Sequence, residues 1–168
     1  MFDRGERPKL KVPYSALERT LQSATRILLA WNFVYVIVQW GDLPAKVPMH
    51  FNGQGEIDRW GSKGELLILP IIGLLIYAGM AALSRVPHIF NYPVKITEEN
   101  AARQYALART MIGWLNLEIV ALFAYIGWAS IQAAKGAASG LGLWFLPVVL
   151  VVIFGTLGVY LAKAFKQK

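Results

Sequence analysis

The chain has 168 residues, of which 56% are hydrophobic and only 16% are charged. A soluble domain usually carries about 25% charged residues, so this composition excludes an ordinary soluble enzyme and indicates a helical membrane protein. The sequence contains no cysteine, which excludes a disulfide framework, a zinc–thiolate site and a cysteine nucleophile.

Four apolar stretches are long enough, or nearly so, to cross the roughly 30 Å hydrocarbon core of a membrane as helices. They are residues 24–40, 66–83, 110–131 and 141–162. The sequence shows neither an internal repeat nor a domain boundary, so residues 1–168 are predicted to form a single membrane domain. We expect an all-α fold, an integral membrane four-helix bundle with an ordered loop between its first two helices.

Local patterns predict where three of the helices begin. Ser15 and Glu18 are spaced as a capping box, which places the start of the first helix near Ser15. Ser62 and Glu65 repeat this pattern before the second apolar stretch. Thr97 precedes two acidic residues and is predicted as the N-cap of a third helix that is longer than its span.

The distribution of Lys and Arg predicts the topology, because basic residues near span ends stay in the cytoplasm. Of the 17 basic residues, four lie in the first and third loops, and the rest lie at the termini or in the middle loop. Both termini are therefore expected in the cytoplasm. The basic residues assigned to that side are Arg4, Arg7, Lys9, Lys11, Arg19, Arg26, Arg85, Lys95, Arg103, Arg109, Lys163, Lys166 and Lys168.

The formal net charge of +7 is thereby explained mainly as an orientation signal. Attraction to anionic membrane lipids is a secondary effect of the same charges. No loop carries a basic stripe with interleaved aromatic residues, so no nucleic acid partner is expected.

The predicted outer loop, residues 41–61, carries the densest polar chemistry of the chain. In one interpretation His50, Asn52, Asp58 and Trp60 converge on a small ligand-binding surface. In the other, Asn52 and Asp58 hydrogen-bond their own turn backbone, Trp60 anchors in the lipid headgroups and His50 caps a loop carbonyl. Residue spacing alone favours the second interpretation.

Residues 43–63 follow the pattern L-P-x3-P-x-H-F-N-x2-G-x2-D-x-W-G-x-K. This pattern resembles the signature of a bacterial membrane family of unknown function, whose domain also begins the SdpI-like immunity proteins. Residues 90–100 resemble the segment that follows the second span in short members of that family. The resemblance adds Gly55 and Lys63 to the candidate binding residues of the loop.

The resemblance implies a multi-pass protein of the bacterial inner membrane without enzymatic activity. SdpI-like proteins resist an external antimicrobial peptide and relay its presence to a cytoplasmic repressor held at the membrane. Over its 168 residues we expect only four spans, without the additional membrane segments of the longer immunity proteins.

Glu118 lies about eight residues into the third span. A charged carboxylate at that depth costs a few kcal/mol, so Glu118 is expected to be protonated, partnered or open to a water-filled cavity. Proton or ion passage and contact with a partner subunit are the functional interpretations. The structural interpretation is a hydrogen bond between helices, with one of Asn32, Tyr35, Tyr77, Thr156 or Tyr160.

The sequence predicts neither a cofactor nor a metal site. His50 and His88 are assigned to opposite sides of the membrane, and the acidic residues near His50 match no strong metal-binding template. Hydrolase and nucleotide-binding motifs are absent from the sequence, so we expect no catalytic residue.

Two functional hypotheses remain. In the first, residues 43–63 bind an extracytoplasmic peptide or lipid-like ligand, and residues 103–109 contact a cytoplasmic protein partner. In the second, the chain is a structural accessory subunit of a larger membrane complex, with Glu118, Gly155 and Gly158 at the interface. A small transporter is a third possibility that only Glu118 favours.

Overall fold

A computed structural model of the chain describes residues 7–168, so Arg4 of the topology argument lies outside the described residues. Four long helices are present: α1 (Ala16–Gln39), α2 (Ile68–Leu83), α3 (Ala101–Ala134) and α4 (Phe145–Lys166). All four, taken with their flanking turns, are long and apolar enough to cross a membrane. The chain is thus a multi-helix membrane protein.

The prediction of an all-α fold needs correction at the loop between α1 and α2. Strands β1 (Lys46–Phe51) and β2 (Ile57–Ser62) pair there as an antiparallel hairpin, with an irregular register around His50. Val47 of β1 is fully buried among residues of α1 and α3. Packing against the helices therefore holds in place a hairpin that would be only marginally stable alone.

Both predicted capping boxes are confirmed. The Ser15 hydroxyl accepts the N–H of Glu18, and the Glu18 carboxylate accepts the N–H of Ser15. Ser62 and Glu65 form the second box. It caps a short 3₁₀ helix, Lys63–Leu67, which leads directly into α2.

The structure corrects one predicted helix start and the beginning of one predicted span by a few residues. Asn100, rather than Thr97, occupies the N-cap position of α3, and its Oδ1 accepts the N–H of Thr97. The fourth helix begins at Phe145 and not at 141, because Gly140 and Gly142 have positive φ angles that no helix continues.

The helices are arranged around α3, which packs against α1, α2 and α4. Helix α4 packs mainly on α3 and leaves most of its surface exposed. The predicted bundle is therefore a close group of α1, α2 and α3 with α4 on its edge.

Two buried clusters lie at opposite ends of α3. We call the first the terminal end, because Tyr105 and Gln104 contact Pro8 and Gln167, near the two ends of the chain. We call the second cluster the hairpin end; it joins α1, β1, the 3₁₀ helix before α2 and the end of α3. Its buried residues are Val36, Leu43, Val47, Leu66 and Ile131. Which end faces the cytoplasm remains a prediction from the Lys and Arg distribution.

Candidate functional site

Asn52 closes the turn of the hairpin. Its Oδ1 accepts the N–H groups of Gln54 and Glu56 at 2.9 and 3.0 Å, and its Nδ2 donates to the Glu56 carboxylate at 3.0 Å. Such side-chain bonds to nearby backbone are what make Asn a turn residue. The interpretation that Asn52 binds its own turn is confirmed.

Gly55 joins this turn to the loop between α3 and α4. Its carbonyl accepts the N–H of Leu141 at 2.8 Å, and its φ is +80°. A Cβ at this position would lie 2.5 Å from the carbonyl oxygen of Gly142. The close backbone approach requires glycine here, a role that the sequence analysis missed although Gly140 and Gly142 marked the facing loop.

His50 and Asp58 pair with each other across the hairpin. The His50 Nδ1 lies 2.6 Å from the Asp58 Oδ1, and the two side chains are 62% and 41% exposed. In the second interpretation, His50 capped a carbonyl and Asp58 bound turn backbone; the geometry instead shows the carboxylate orienting the imidazole. An oriented imidazole at the surface can donate or accept a hydrogen bond through its other nitrogen.

Trp60 and Lys63 differ in how firmly the chain holds them. Trp60 is 52% exposed on β2. The Lys63 ammonium donates to the Trp40 carbonyl at 3.2 Å and lies 5.2 Å from the centroid of the Trp40 ring. Lys63 thus fastens the hairpin to the end of α1, whereas Trp60 leaves a large aromatic surface free for lipid headgroups or a ligand.

Arg59 and Glu65 form a second exposed pair that the sequence analysis did not single out. Arg59 Nη1 donates to Glu65 Oε2 at 3.0 Å, and Glu65 Oε1 accepts the N–H of Ser62. A Cβ at Gly61 would lie 2.4 Å from Glu65 Oε1 and 2.7 Å from Met49 Cγ. Gly61 therefore leaves room for the carboxylate that holds Arg59.

A cavity of about 410 Å³ lies between the hairpin and the membrane helices; we call it the hairpin pocket. Its polar lining comes from His50, Asn52, Arg59 and Glu65 on the hairpin side and from Ser130 of α3. Its apolar lining comes mainly from Leu66, Ile68, Leu69, Ile126, Phe145 and Leu146. Of the six candidate binding residues, His50 and Asn52 line the pocket, and Asp58 adjoins it through His50.

Glu118 and Asn32, one of its candidate partners inside the spans, lie at different interfaces. Glu118 of α3 accepts a hydrogen bond from the Thr156 hydroxyl of α4, one of the five predicted partners. Asn32 of α1 is buried, and its Oδ1 faces Gly127 of α3. Within residues 7–168, the Asn32 Nδ2 has no hydrogen-bond partner.

Arg109 organises the terminal end, a role that sequence reasoning missed. Its Nε donates to Glu18 Oε1 at 2.9 Å, and its terminal nitrogens donate to the carbonyls of Val12 and Pro13 at 2.7 and 3.0 Å. The guanidinium also lies 4.5 Å from the centroid of the Tyr14 ring. Residues 103–109 were predicted to contact a cytoplasmic partner. Within this stretch Arg109 is buried, whereas Arg103 is exposed.

Further contacts close the terminal end. Tyr105 donates its hydroxyl to the Pro8 carbonyl at 2.9 Å, and Gln104 donates to the Ala164 carbonyl at 2.9 Å. The Arg7 guanidinium lies 5.4 Å from the centroid of the Tyr92 ring, and burial raises the pKa of the Tyr92 hydroxyl. These bonds tie the segment before α1 and the end of α4 to the start of α3.

In the part of the chain that the structure describes, no three His, Asp or Glu side chains are grouped so that they could hold a metal ion. His50 lies at the hairpin end, while His88 lies in a short 3₁₀ helix, Pro87–Ile89, between α2 and α3.

Comparisons with known proteins identify relatives without an assigned activity. Residues 27–74 match the family model of a domain of unknown function, DUF1648. The matched region contains most of α1, the whole hairpin and the first part of α2. The chain is also 28% identical over 162 residues to an uncharacterized protein of Archaeoglobus fulgidus, a match that covers 88% of this chain and 87% of that protein. No solved structure matches the chain.

Proposed function

We propose that this chain is a non-enzymatic, SdpI-like protein of the bacterial cytoplasmic membrane that binds an amphipathic peptide or lipid-like ligand in the hairpin pocket. The observation that carries the proposal is the lining of that pocket, which joins polar side chains of the hairpin to apolar side chains of the helices. The match of residues 27–74 to a family domain covers the whole hairpin and supports a role for it.

The dimensions and chemistry of the pocket suit such a ligand. A volume of about 410 Å³ lies within the roughly 300–1,000 Å³ usual for ligand pockets. Arg59 and His50 are exposed at the hairpin side, where they can bind polar or anionic groups of a ligand. Leu69, Ile126 and Phe145 offer an apolar surface at the depth of the helices.

The predicted topology indicates from which side of the membrane the ligand reaches the hairpin pocket. With both termini in the cytoplasm, the hairpin lies outside the cell and meets secreted molecules first. Immunity or signalling against an external peptide is the role that this position favours.

The test is protection of a sensitive bacillus, lacking its own immunity protein, from the secreted toxin peptide that SdpI-like proteins resist. Expression of this chain is expected to raise survival. Leu69→Trp fills the hairpin pocket and is expected to remove the protection. The matched control is Leu75→Trp on the same helix, because Leu75 is 66% exposed and outside the pocket.

Two outcomes would contradict the proposal. Equal protection by Leu69→Trp and the wild type would show that the hairpin pocket is not needed for the protection. No protection by the wild-type chain, despite its presence in the membrane, would remove the immunity role.

A structural accessory subunit is the second candidate, and the exposed surface of α4 favours it. Along this helix a Cβ at Gly155 or Gly158 would meet nothing within 4 Å. Native mass spectrometry of the protein extracted in mild detergent from its own host separates the candidates. A large assembly of fixed stoichiometry supports the accessory subunit, whereas a free monomer or homodimer supports the receptor.

A further inference from the structure

Two grooves run along the seam between α3 and α4 and meet at Glu118. One, of about 470 Å³, extends from Glu118 to Trp144 at the hairpin end. The other, of about 390 Å³, extends from Glu118 to Lys163 at the terminal end. We call the first of them the seam groove.

Glu118 places an unpaired acid at this meeting point. Its Oε1 accepts the Thr156 hydroxyl, while its Oε2 is buried and has no hydrogen-bond partner within residues 7–168. None of the ion pairs between described residues includes Glu118. An ionised carboxylate at membrane depth is stabilised by a donor or a positive charge, and within residues 7–168 the Thr156 hydroxyl is the only donor to Glu118.

The rest of the seam groove is apolar and ends in aromatic rings. Tyr125 and Phe145 stack with their centroids 5.4 Å apart, and Trp144 beside them is 75% exposed. Tyr125 follows Glu118 by seven residues on α3, a rise of about 10 Å along the helix. The seam groove thus presents an acid at one end and aromatic faces at the other.

We propose that the seam groove binds a lipophilic organic cation, with the positive charge at Glu118 and the apolar body against the aromatic rings. Aromatic faces and a carboxylate in a desolvated setting both attract organic cations. A lipid acyl chain would fill the groove but would leave the carboxyl oxygen without a partner. The proposal does not depend on a ligand in the hairpin pocket.

Equilibrium binding of radiolabelled tetraphenylphosphonium to the full chain in nanodiscs of neutral lipid tests this proposal. The wild type is expected to bind the cation saturably, and uncharged triphenylphosphine oxide is expected not to compete. Glu118→Gln is expected to weaken binding by at least about tenfold, because charge attraction is strong in a low-dielectric groove. Glu99→Gln is the matched control, since Glu99 is exposed outside the groove.

A second variant keeps the test independent of any effect of Glu118→Gln on folding. Ala121→Trp occupies the seam groove and retains Glu118, and it is also expected to lose tetraphenylphosphonium binding. Unchanged binding by Glu118→Gln, or full competition by triphenylphosphine oxide, would overturn the proposal. A third outcome would also overturn it: the wild type binds no cation, and Glu118→Gln changes the mass of the native assembly. In that case the groove would hold a partner helix.

Discussion

The two ends of the molecule each contain an arginine–carboxylate pair, and the pairs have nearly the same length. Arg109 and Glu18 at the terminal end are 2.9 Å apart, and Arg59 and Glu65 at the hairpin end are 3.0 Å apart. Their surroundings differ, since the first two side chains are 4% and 3% exposed and the second two are 55% and 32% exposed. Burial, and not distance, therefore separates a structural pair from one that water or a ligand can compete for.

The hydrogen bonds near each pair also differ between the two ends. At the terminal end, backbone carbonyls of the segment before α1 occupy further donors of Arg109. At the hairpin end, backbone contacts through Gly55 hold the fold, and the polar side chains remain at the surface. The terminal end is closed by contacts among its own residues, whereas the hairpin end leaves polar side chains exposed.

Breaking the buried pair is expected to have the largest effect on stability. Arg109→Leu leaves Glu18 buried without its cation, and such a loss costs about 3–5 kcal/mol. Thermal unfolding in detergent measures it. Arg103→Leu on the exposed face of the same helix is the control and is expected to change stability by less than about 0.5 kcal/mol.

The double variant Glu18→Leu/Arg109→Leu sharpens this result. Removal of both charges is expected to recover part of the loss, because no uncompensated charge remains. Equal stability of Arg109→Leu and Arg103→Leu would contradict a structural role for the buried pair.

The next largest effect is expected at the turn of the hairpin. Gly55→Ala forces a Cβ against Gly142 at a φ of +80°, and strain of this kind costs about 1–3 kcal/mol. The hydrogen-exchange rate of the hairpin amides is therefore expected to be higher in Gly55→Ala than in the wild type. Gly53→Ala, whose Cβ meets nothing within 4 Å, is the control, and similar exchange in both variants would show that the turn does not need its contact with the α3–α4 loop.

At the hairpin end, the variant Asp58→Asn separates the contribution of the His50–Asp58 pair to stability from its contribution to function. An exposed ion pair contributes at most about 1 kcal/mol, so the unfolding temperature is expected to change little. Protection against the secreted peptide is expected to be lost, and Trp60→Ala is expected to behave alike. A large loss of stability in Asp58→Asn would assign the His50–Asp58 pair to the fold instead.

The smallest effect is expected on α4. Gly155→Ala adds a Cβ in open space and is expected to stabilise the isolated chain by about 0.5 kcal/mol, since glycine weakens a helix interior. At Gly113 of α3 the added Cβ would lie 3.2 Å from Leu21, so Gly113→Ala is expected to bring no such gain. Loss of a native assembly in Gly155→Ala would favour the accessory subunit.

Sequence reasoning succeeded where the signal was local. The four spans follow from apolar runs, and the capping boxes at Ser15 and Ser62 follow from residues three positions apart. Thr156 was found among the partners of Glu118 because an acid within a span needs a donor, and polar residues there are few.

Contacts distant in sequence were beyond such reasoning. Arg109 was interpreted as a topology signal, and nothing local indicates its partner Glu18, which lies 91 residues away. The hairpin was missed because β1 and β2 are short and depend on packing against α3 and on the docking of Gly55. The pocket beneath the hairpin follows from those same long-range contacts.

The most direct test of the predicted extracytoplasmic position of the hairpin is thiol labelling in intact cells. The chain has no cysteine, and Gln54 and Glu99 are exposed at opposite ends of the molecule, so Gln54→Cys and Glu99→Cys each report one end alone. An impermeant maleimide is expected to label Gln54→Cys in intact cells and Glu99→Cys only after lysis. Labelling of Glu99→Cys but not Gln54→Cys in intact cells would place the hairpin in the cytoplasm and contradict its role as a receptor for secreted molecules.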